Sequence, residues 1–231
     1  MTTTQTGHVL DNPIWYALNS AQAHFAIGTE RAKCYPEEMS LSVGLADHSE
    51  AALGDLARTV GSRKTVVLLE ANPPDELSGW VIQRTAKLEQ MVCQQRITQV
   101  QSPLDIIALK TSDVPEMLEL IELTHLGPFT ARSIELGRFI GIHQQGQLVA
   151  MAGERFHLSG YCEISPVCTH PDWQGKGYAR ILTGWLVNGI WARGETPFLQ
   201  VDPDNGAAYH LYESLNFRKR CAMTALIIGH V

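Results

Sequence analysis

The sequence predicts a mixed α/β fold in which helices cover a sheet of both strand directions, and three patterns carry that expectation. Asn12-Pro13 opens an apolar run at helical spacing (Ile14, Leu18, Ala21, Phe25), as an N-cap followed by proline at the first helical position does. Three strand-like runs, at 139–143, 148–156 and 161–169, are joined by the glycine turns Gln145-Gly146 and Ser159-Gly160, the signal of successive antiparallel hairpins. The third run then feeds a glycine loop, a helix and a further strand at 198–201.

The remaining elements follow in order. Residues 50–60 read as a second helix, 65–69 as a buried strand and 87–93 as an alternating one. Gln94, Gln95, Gln99 and Gln101 lead into Ser102-Pro103, a polar stretch ending in proline that reads as a linker. It divides the chain into an N-terminal mixed α/β part, 1–102, and a second part, 103–231. Beyond the linker, 104–109 is strand-like. Asp113 and Glu116 have the spacing of a capping box, and Met117, Leu120 and Ile121 form one apolar helix face. After the loop at 172–180, Leu182, Trp185, Leu186, Gly189 and Ile190 repeat at helical spacing until Arg193-Gly194 supplies a stop.

Composition narrows the function. With 45% hydrophobic and 18% charged residues in 231, the chain has a globular composition rather than that of a disordered one. A net charge of -6 argues against a nucleic-acid partner, which normally meets a basic face. The longest apolar runs, at 65–69 and 224–228, fall far short of the ~20 residues that cross a bilayer, so no membrane partner is expected. Residues 1–7 lack a basic start and an apolar run, which favours a cytoplasmic location. Five cysteines without a C-x-x-C pair read as reduced, buried thiols, and nine dispersed histidines in no ligand spacing predict no metal.

The chemistry sits where the strand ending Val167-Cys168-Thr169-His170-Pro171 meets the loop Gln174-Gly175-Lys176-Gly177-Tyr178-Ala179-Arg180. Two glycines before a helix let backbone N–H groups approach a ligand, and the unsatisfied first-turn amides carry about +0.5 charge to receive a phosphate. Lys176 and Arg180 add charge at the same place, so an acidic chain meets an anion locally. A lone Gly-x-Gly also reads as a tight turn with no ligand. A dinucleotide-binding reading fails because Arg180 stands where the third glycine belongs and antiparallel hairpins precede the loop. A P-loop is absent.

The loop with its preceding strand, followed some thirty residues later by Asn205-x-x-Ala208-x-x-x-Tyr212-Glu213-x-Leu215-x-Phe217, resembles the GNAT superfamily of acyl-CoA-dependent N-acetyltransferases over residues 103–231, with an FR-type C-terminal half. Asn216 replaces the glycine usual before Phe217, and Asn also visits left-handed backbone. The resemblance implies the GNAT fold for the second half, with 1–102 a degenerate copy of it that covers the sheet and shapes the acceptor pocket through the Trp15 helix. It implies acetyl-CoA as cosubstrate, with the pantetheine arm paired to Val167, Cys168 and Thr169 as an added strand where the sheet splays. The amides of Gln174, Gly175, Lys176, Gly177, Tyr178 and Ala179 would hold the pyrophosphate, with Arg180 close by. Asn205 and Ala208 would touch the far part of the arm, and Tyr212 would face the sulfur.

Acetyl transfer from thioester to amine needs a base for the amine and an acid for the thiolate. Tyr212 takes the acid role by position and by its phenol pKa of ~10. Glu163, on the strand that enters the loop, is the expected base, with Glu154 in reserve and His170 behind it. Cys162 and Cys168 are expected to pack rather than to act as nucleophiles. The expected activity is therefore N-acetylation of a small-molecule or peptide amine by a monomer or homodimer. Two alternatives stand beside it, a catalytically silent CoA-binding regulator and, less favoured, a nucleotide-binding oxidoreductase.

Overall fold

A computed structural model describes residues 7–97 and 104–230. Its chain order begins with α1 (Pro13–Leu18), β1 (Ile27–Gly28), β2 (Ala32–Cys34), β3 (Ser42–Leu45), α2 (Glu50–Val60), β4 (Val66–Glu70) and β5 (Trp80–Cys93). After the linker come β6 (Ile107–Ala108), α3 (Val114–Leu123), β7 (Phe139–Gln144), β8 (Gln147–Leu158) and β9 (Tyr161–Thr169). Then follow α4 (Tyr178–Ala192), β10 (Thr196–Val201), α5 (Gly206–Ser214) and β11 (Phe217–His230).

Local chemistry explains both the expected helices and their limits. Asn12 Oδ1 accepts the Trp15 N–H at 3.3 Å, and Pro13 follows it, so α1 starts where the sequence places it. It ends at Leu18 rather than reaching Phe25, because Asn19 Nδ2 and Ser20 Oγ bond back to the carbonyls of Trp15 and Tyr16 and compete with further helical bonds. Ser49 caps α2 through the Ala52 N–H, and Ala52, Leu53, Leu56 and Val60 bury one face against β2, β3 and β4. The expected capping box at Asp113 does not form. Asp113 turns back to the Lys110 N–H and Glu116 reaches the Leu148 N–H on β8. Of the strand expected at 104–109, only β6 is paired.

Among the described residues the strands form one sheet in the order β1-β2-β3-β4-β11-β5-β10-β9-β8-β7-β6. The hairpins β7–β8 and β8–β9 are antiparallel, as their turns require. β5 pairs with β11 from Trp80 opposite His230 to Cys93 opposite Phe217, and on its other edge it pairs with β10. A strand from the first half thus lies between two strands of the second. The boundary expected at 102/103 falls outside the described residues, and the sheet runs on through strands from both sides of it.

Helices close both faces. On one, Tyr178, Leu182, Leu186 and Ile190 of α4 pack on Ile142, Ala150, Ile164 and Leu199. On the other, Ile14 and Leu18 of α1 join Tyr35, Phe156, Phe198 and Met223. The candidate site lies where these two packed layers meet at a break in the sheet.

Candidate active site

β9 and β10 are parallel neighbours only from Tyr161 opposite Thr196 to Glu163 opposite Phe198. Past that point β9 stays with β8, matching Val167 to Ala152, Cys168 to Met151 and Thr169 to Ala150, while β10 stays with β5 up to Val201 opposite Glu89. The two strands diverge, and the β10-facing edge of Val167, Cys168 and Thr169 is left open among the described residues. A cavity of about 330 Å³ passes through this gap. Val167, Asn205, Ala208 and Tyr212 line one part of it, and Arg155, Phe156, Leu69, Leu88, Ser40 and Ser42 another.

The glycine loop lies at the C-terminal end of β9. Gly175 and Gly177 have φ of 76° and 81°, and a Cβ at either would meet nothing within 4 Å, so the left-handed backbone rather than crowding calls for glycine there. Gly177 is the N-cap of α4, and its carbonyl takes the first helical bond from the Ile181 N–H at 3.1 Å. The amides of Tyr178, Ala179 and Arg180 therefore have no intrahelical partner. Gln174 differs from the residues that follow it, because its N–H is bonded to the Pro171 carbonyl at 3.3 Å. The Lys176 ammonium rests over the Trp173 ring at 3.8 Å, and Arg180 is tethered to the Ser214 hydroxyl on α5. The loop, the start of α4 and the end of α5 thus form one electropositive corner.

Asn205 caps α5, its Oδ1 accepting the Ala208 N–H at 3.1 Å, which fixes the turn that brings Ala208 and Tyr212 to the cavity. Tyr212 is buried edge-on to Phe217 with ring centroids 5.9 Å apart. Burial first, and the nearby Cys168 second, push its phenol up to about 12. The Cys168 thiol is likewise pushed up to about 12 by burial, and Cys162 is raised by burial and by Glu154, so neither offers a thiolate nucleophile.

The carboxylates proposed from sequence are placed differently. Glu163 is 0% exposed, and both its oxygens are held by Arg155, at 2.7 Å from Nε and 3.0 Å from Nη2. Arg155 lines the cavity; Glu163 does not. With both oxygens taken up by the guanidinium and neither on the cavity, the carboxylate suits holding Arg155 better than reaching the amine. Glu154 is buried on β8 with Arg193 Nη2 3.0 Å away, and His170 spends Nδ1 on the Asp172 N–H.

Sequence spacing missed several contributors. Gly127, Pro128, Phe129, Ser133 and Leu136 form a loop wall on the cavity. That loop is pinned to the first half by Thr130 Oγ1 on the Glu38 carbonyl and Ser133 Oγ on the Met39 carbonyl. From the α1 helix it is Ile14, not Trp15, that reaches the cavity. No motif announces these positions, because the sheet assembles them from distant segments. Glu154, His157 and Cys162 also bring three potential ligand atoms within 4.8 Å of one another, a cluster formed across the β8–β9 hairpin. The Arg193 guanidinium is paired with Glu154 and lies 3.9 Å from the Cys162 sulfur, so a cation already serves this group.

Comparison with known proteins agrees with this geometry. The FR47-like protein family matches residues 139–226, the span from β7 into β11. A putative acetyltransferase of the GNAT family from Novosphingobium aromaticivorans is 34% identical, superposes with a TM-score of 0.90 and covers 97% of this chain and 100% of its own. An N-alpha-acetyltransferase RimI of Mycobacterium tuberculosis is 32% identical over 129 residues, 51% of this chain and 80% of that protein. The ribosomal protein bS18-alanine N-acetyltransferase of Escherichia coli is 28% identical over 120 residues, 49% of this chain and 80% of its own. Open strand edge, glycine corner and near full-length likeness converge: the chain belongs to the GNAT family and is an acyltransferase.

Proposed function

We propose that the chain transfers an acetyl group from acetyl-CoA to a primary amine of a small molecule or peptide, by direct attack in a ternary complex within the cleft between β9 and β10. The observation that carries this reading is the parting of these strands after Glu163 and Phe198, beside a helix N-terminus whose amides are free. The open edge of Val167, Cys168 and Thr169 suits the amide-bearing arm of CoA, and the amides of Gly175 through Ala179, with Lys176 and Arg180, suit its pyrophosphate. Residues 103–231 supply this donor side. Residues 1–102 wall the acceptor side with Ser40, Ser42, Leu69 and Leu88.

The amine nitrogen attacks the thioester carbonyl carbon, the C–S bond breaks, and the sulfur leaves as a thiolate that gains a proton while the amine loses one. Tyr212 meets the sulfur with its hydroxyl. The amine proton passes to water, since Glu163 and Glu154 are both engaged in ion pairs. Likeness to an N-alpha-acetyltransferase and to an alanine N-acetyltransferase of a ribosomal protein favours a peptide amine over other amines. Five cysteines free of disulfides suit work in the reducing cytosol.

Thermal shift with acetyl-CoA, CoA, NAD and ATP, followed by thiol release over an amine panel, tests the reading. Stabilisation by acetyl-CoA and CoA together with amine-dependent thiol release is expected. Binding without turnover would favour a silent CoA-binding protein, and stabilisation by NAD alone would overturn the assignment.

A further inference from the structure

Gln200 lies on β10 two residues past the point where β9 departs. Strand alternation puts it on the same face as Phe198, which packs with Tyr35 and Phe156, and opposite to Leu199 and Val201, which pack under α4. It lines the cavity on this acceptor face. Among the described residues, neither Nε2 nor Oε1 of Gln200 has a hydrogen-bond partner, although both are shut off from bulk water. Its cross-strand neighbour shows the ordinary alternative. Gln90, directly opposite, donates to the Leu10 carbonyl at 3.0 Å and accepts from Arg220. A buried amide left with four unused positions is costly and rare unless another group completes it.

We infer that Gln200 orients the acceptor, and that the acceptor class it fits is an α-amino carbonyl compound: an amino-acid amide or the first residue of a peptide. The inference rests on the acetyl-transfer reading above. A primary amide offers a donor and an acceptor side by side, and its complement is a molecule that offers an N–H and a carbonyl oxygen side by side. With Oε1 accepting from the amine and Nε2 donating to the adjacent carbonyl, the nitrogen lone pair is left to face the thioester.

The protonation arithmetic points the same way. The sole carboxylate among the residues lining the cavity is Asp202, whose Oδ1 takes the Asp204 N–H at 2.9 Å in the turn before α5. With the one carboxylate of the lining exposed and serving the turn before α5, the site favours an amine that is already partly neutral. At pH 7 an alkylamine of pKa ~10.4 is free in roughly 1 molecule in 2,500, whereas an α-amine of pKa ~7.7–8.0 is free in roughly 1 in 6 to 1 in 11. The α-amine thus brings several hundred times more reactive nitrogen without any help from the protein.

The test measures L-alaninamide against sec-butylamine, a probe of similar bulk without the carbonyl, in the parent and in Gln200→Leu and Gln200→Glu. Acetyl-CoA affinity by calorimetry and melting temperature serve as controls for folding. In the parent, alaninamide should be preferred, and Gln200→Leu should lower its kcat/KM by about 10-fold or more. Turnover of sec-butylamine, which can use only Oε1, should fall clearly less than that of alaninamide, and acetyl-CoA affinity should not move. Gln200→Glu keeps an acceptor for the amine and replaces the donor by a second acceptor, so it should lie between the two. A purely structural role would shift melting temperature and lower both amines by the same factor, and would overturn the inference. So would equal use of both amines by the parent. Turnover of neither amine by a parent that binds acetyl-CoA would instead remove the acetyl-transfer reading itself, and this inference with it.

Discussion

Tyr212 and Glu163 illustrate how burial decides what a titratable side chain can do. A phenol raised to about 12 stays protonated through the neutral range. Complete transfer of its proton to a thiolate whose thiol has pKa ~8.5 would be uphill by roughly 5 kcal/mol, at 1.36 kcal/mol per unit. In the proposed reaction Tyr212 would therefore act by donating a hydrogen bond as charge builds on sulfur. Tyr212→Phe should lower kcat by ~10²-fold or more with little change in KM for acetyl-CoA. Weaker acetyl-CoA binding with intact kcat would make it a mere packing residue. Because the shift is upward, the parent should show no fall in kcat near pH 10, where an ordinary tyrosine ionises. At Glu163 the expectation is a stability effect. Glu163→Gln leaves the Arg155 guanidinium without its counter-charge in a buried setting, so the melting temperature should fall, with a cost of about 3–5 kcal/mol. A loss of kcat alone, rescued at high pH with stability unchanged, would restore Glu163 as the general base.

At the scale of elements, the loop that opens α4 is the most sequence-legible part of the site. Its glycines, its position between strand and helix, and the Asn205-to-Phe217 segment could be read directly, because backbone with positive φ and a helix cap each demand particular residues. Gly177→Val puts a β-branched side chain at φ 81° and should abolish acetyl-CoA binding in calorimetry while the fold survives. Affinity within a few-fold of the parent would mean that the loop holds no phosphate. The elements that were not legible are those whose partners are remote. β1 to β3 are short strands whose apolar residues find each other only through tertiary pairing, and β11 was visible merely as an apolar run at 224–228. The pairing of Glu163 with Arg155 arises from a hairpin register with bulges, which spacing alone does not reveal. Gln200 looks like any polar strand residue until the departure of β9 leaves its buried amide without a partner.

On the scale of the molecule, the continuous sheet makes the two halves interdependent. β10 and β11 both find a partner in β5, so removing the first half would expose long, apolar strand edges. Residues 104–231 produced alone should aggregate or fail to bind acetyl-CoA, as read by size-exclusion chromatography and calorimetry. A monomeric fragment with parental affinity would show that the first half is dispensable for folding. The same continuity lets both halves line one cavity, as the proposed division into acceptor and donor sides requires. That division of labour underlies the proposed passage of acetyl groups from CoA to an amine in the cleft between β9 and β10. Quantitative mass spectrometry of the amine alongside thiol release tests it most directly. One acetylated amine is expected for each thiol released, with both products lost in Gly177→Val. Thiol release without acetylated amine, or acetylation that persists in that variant, would contradict it.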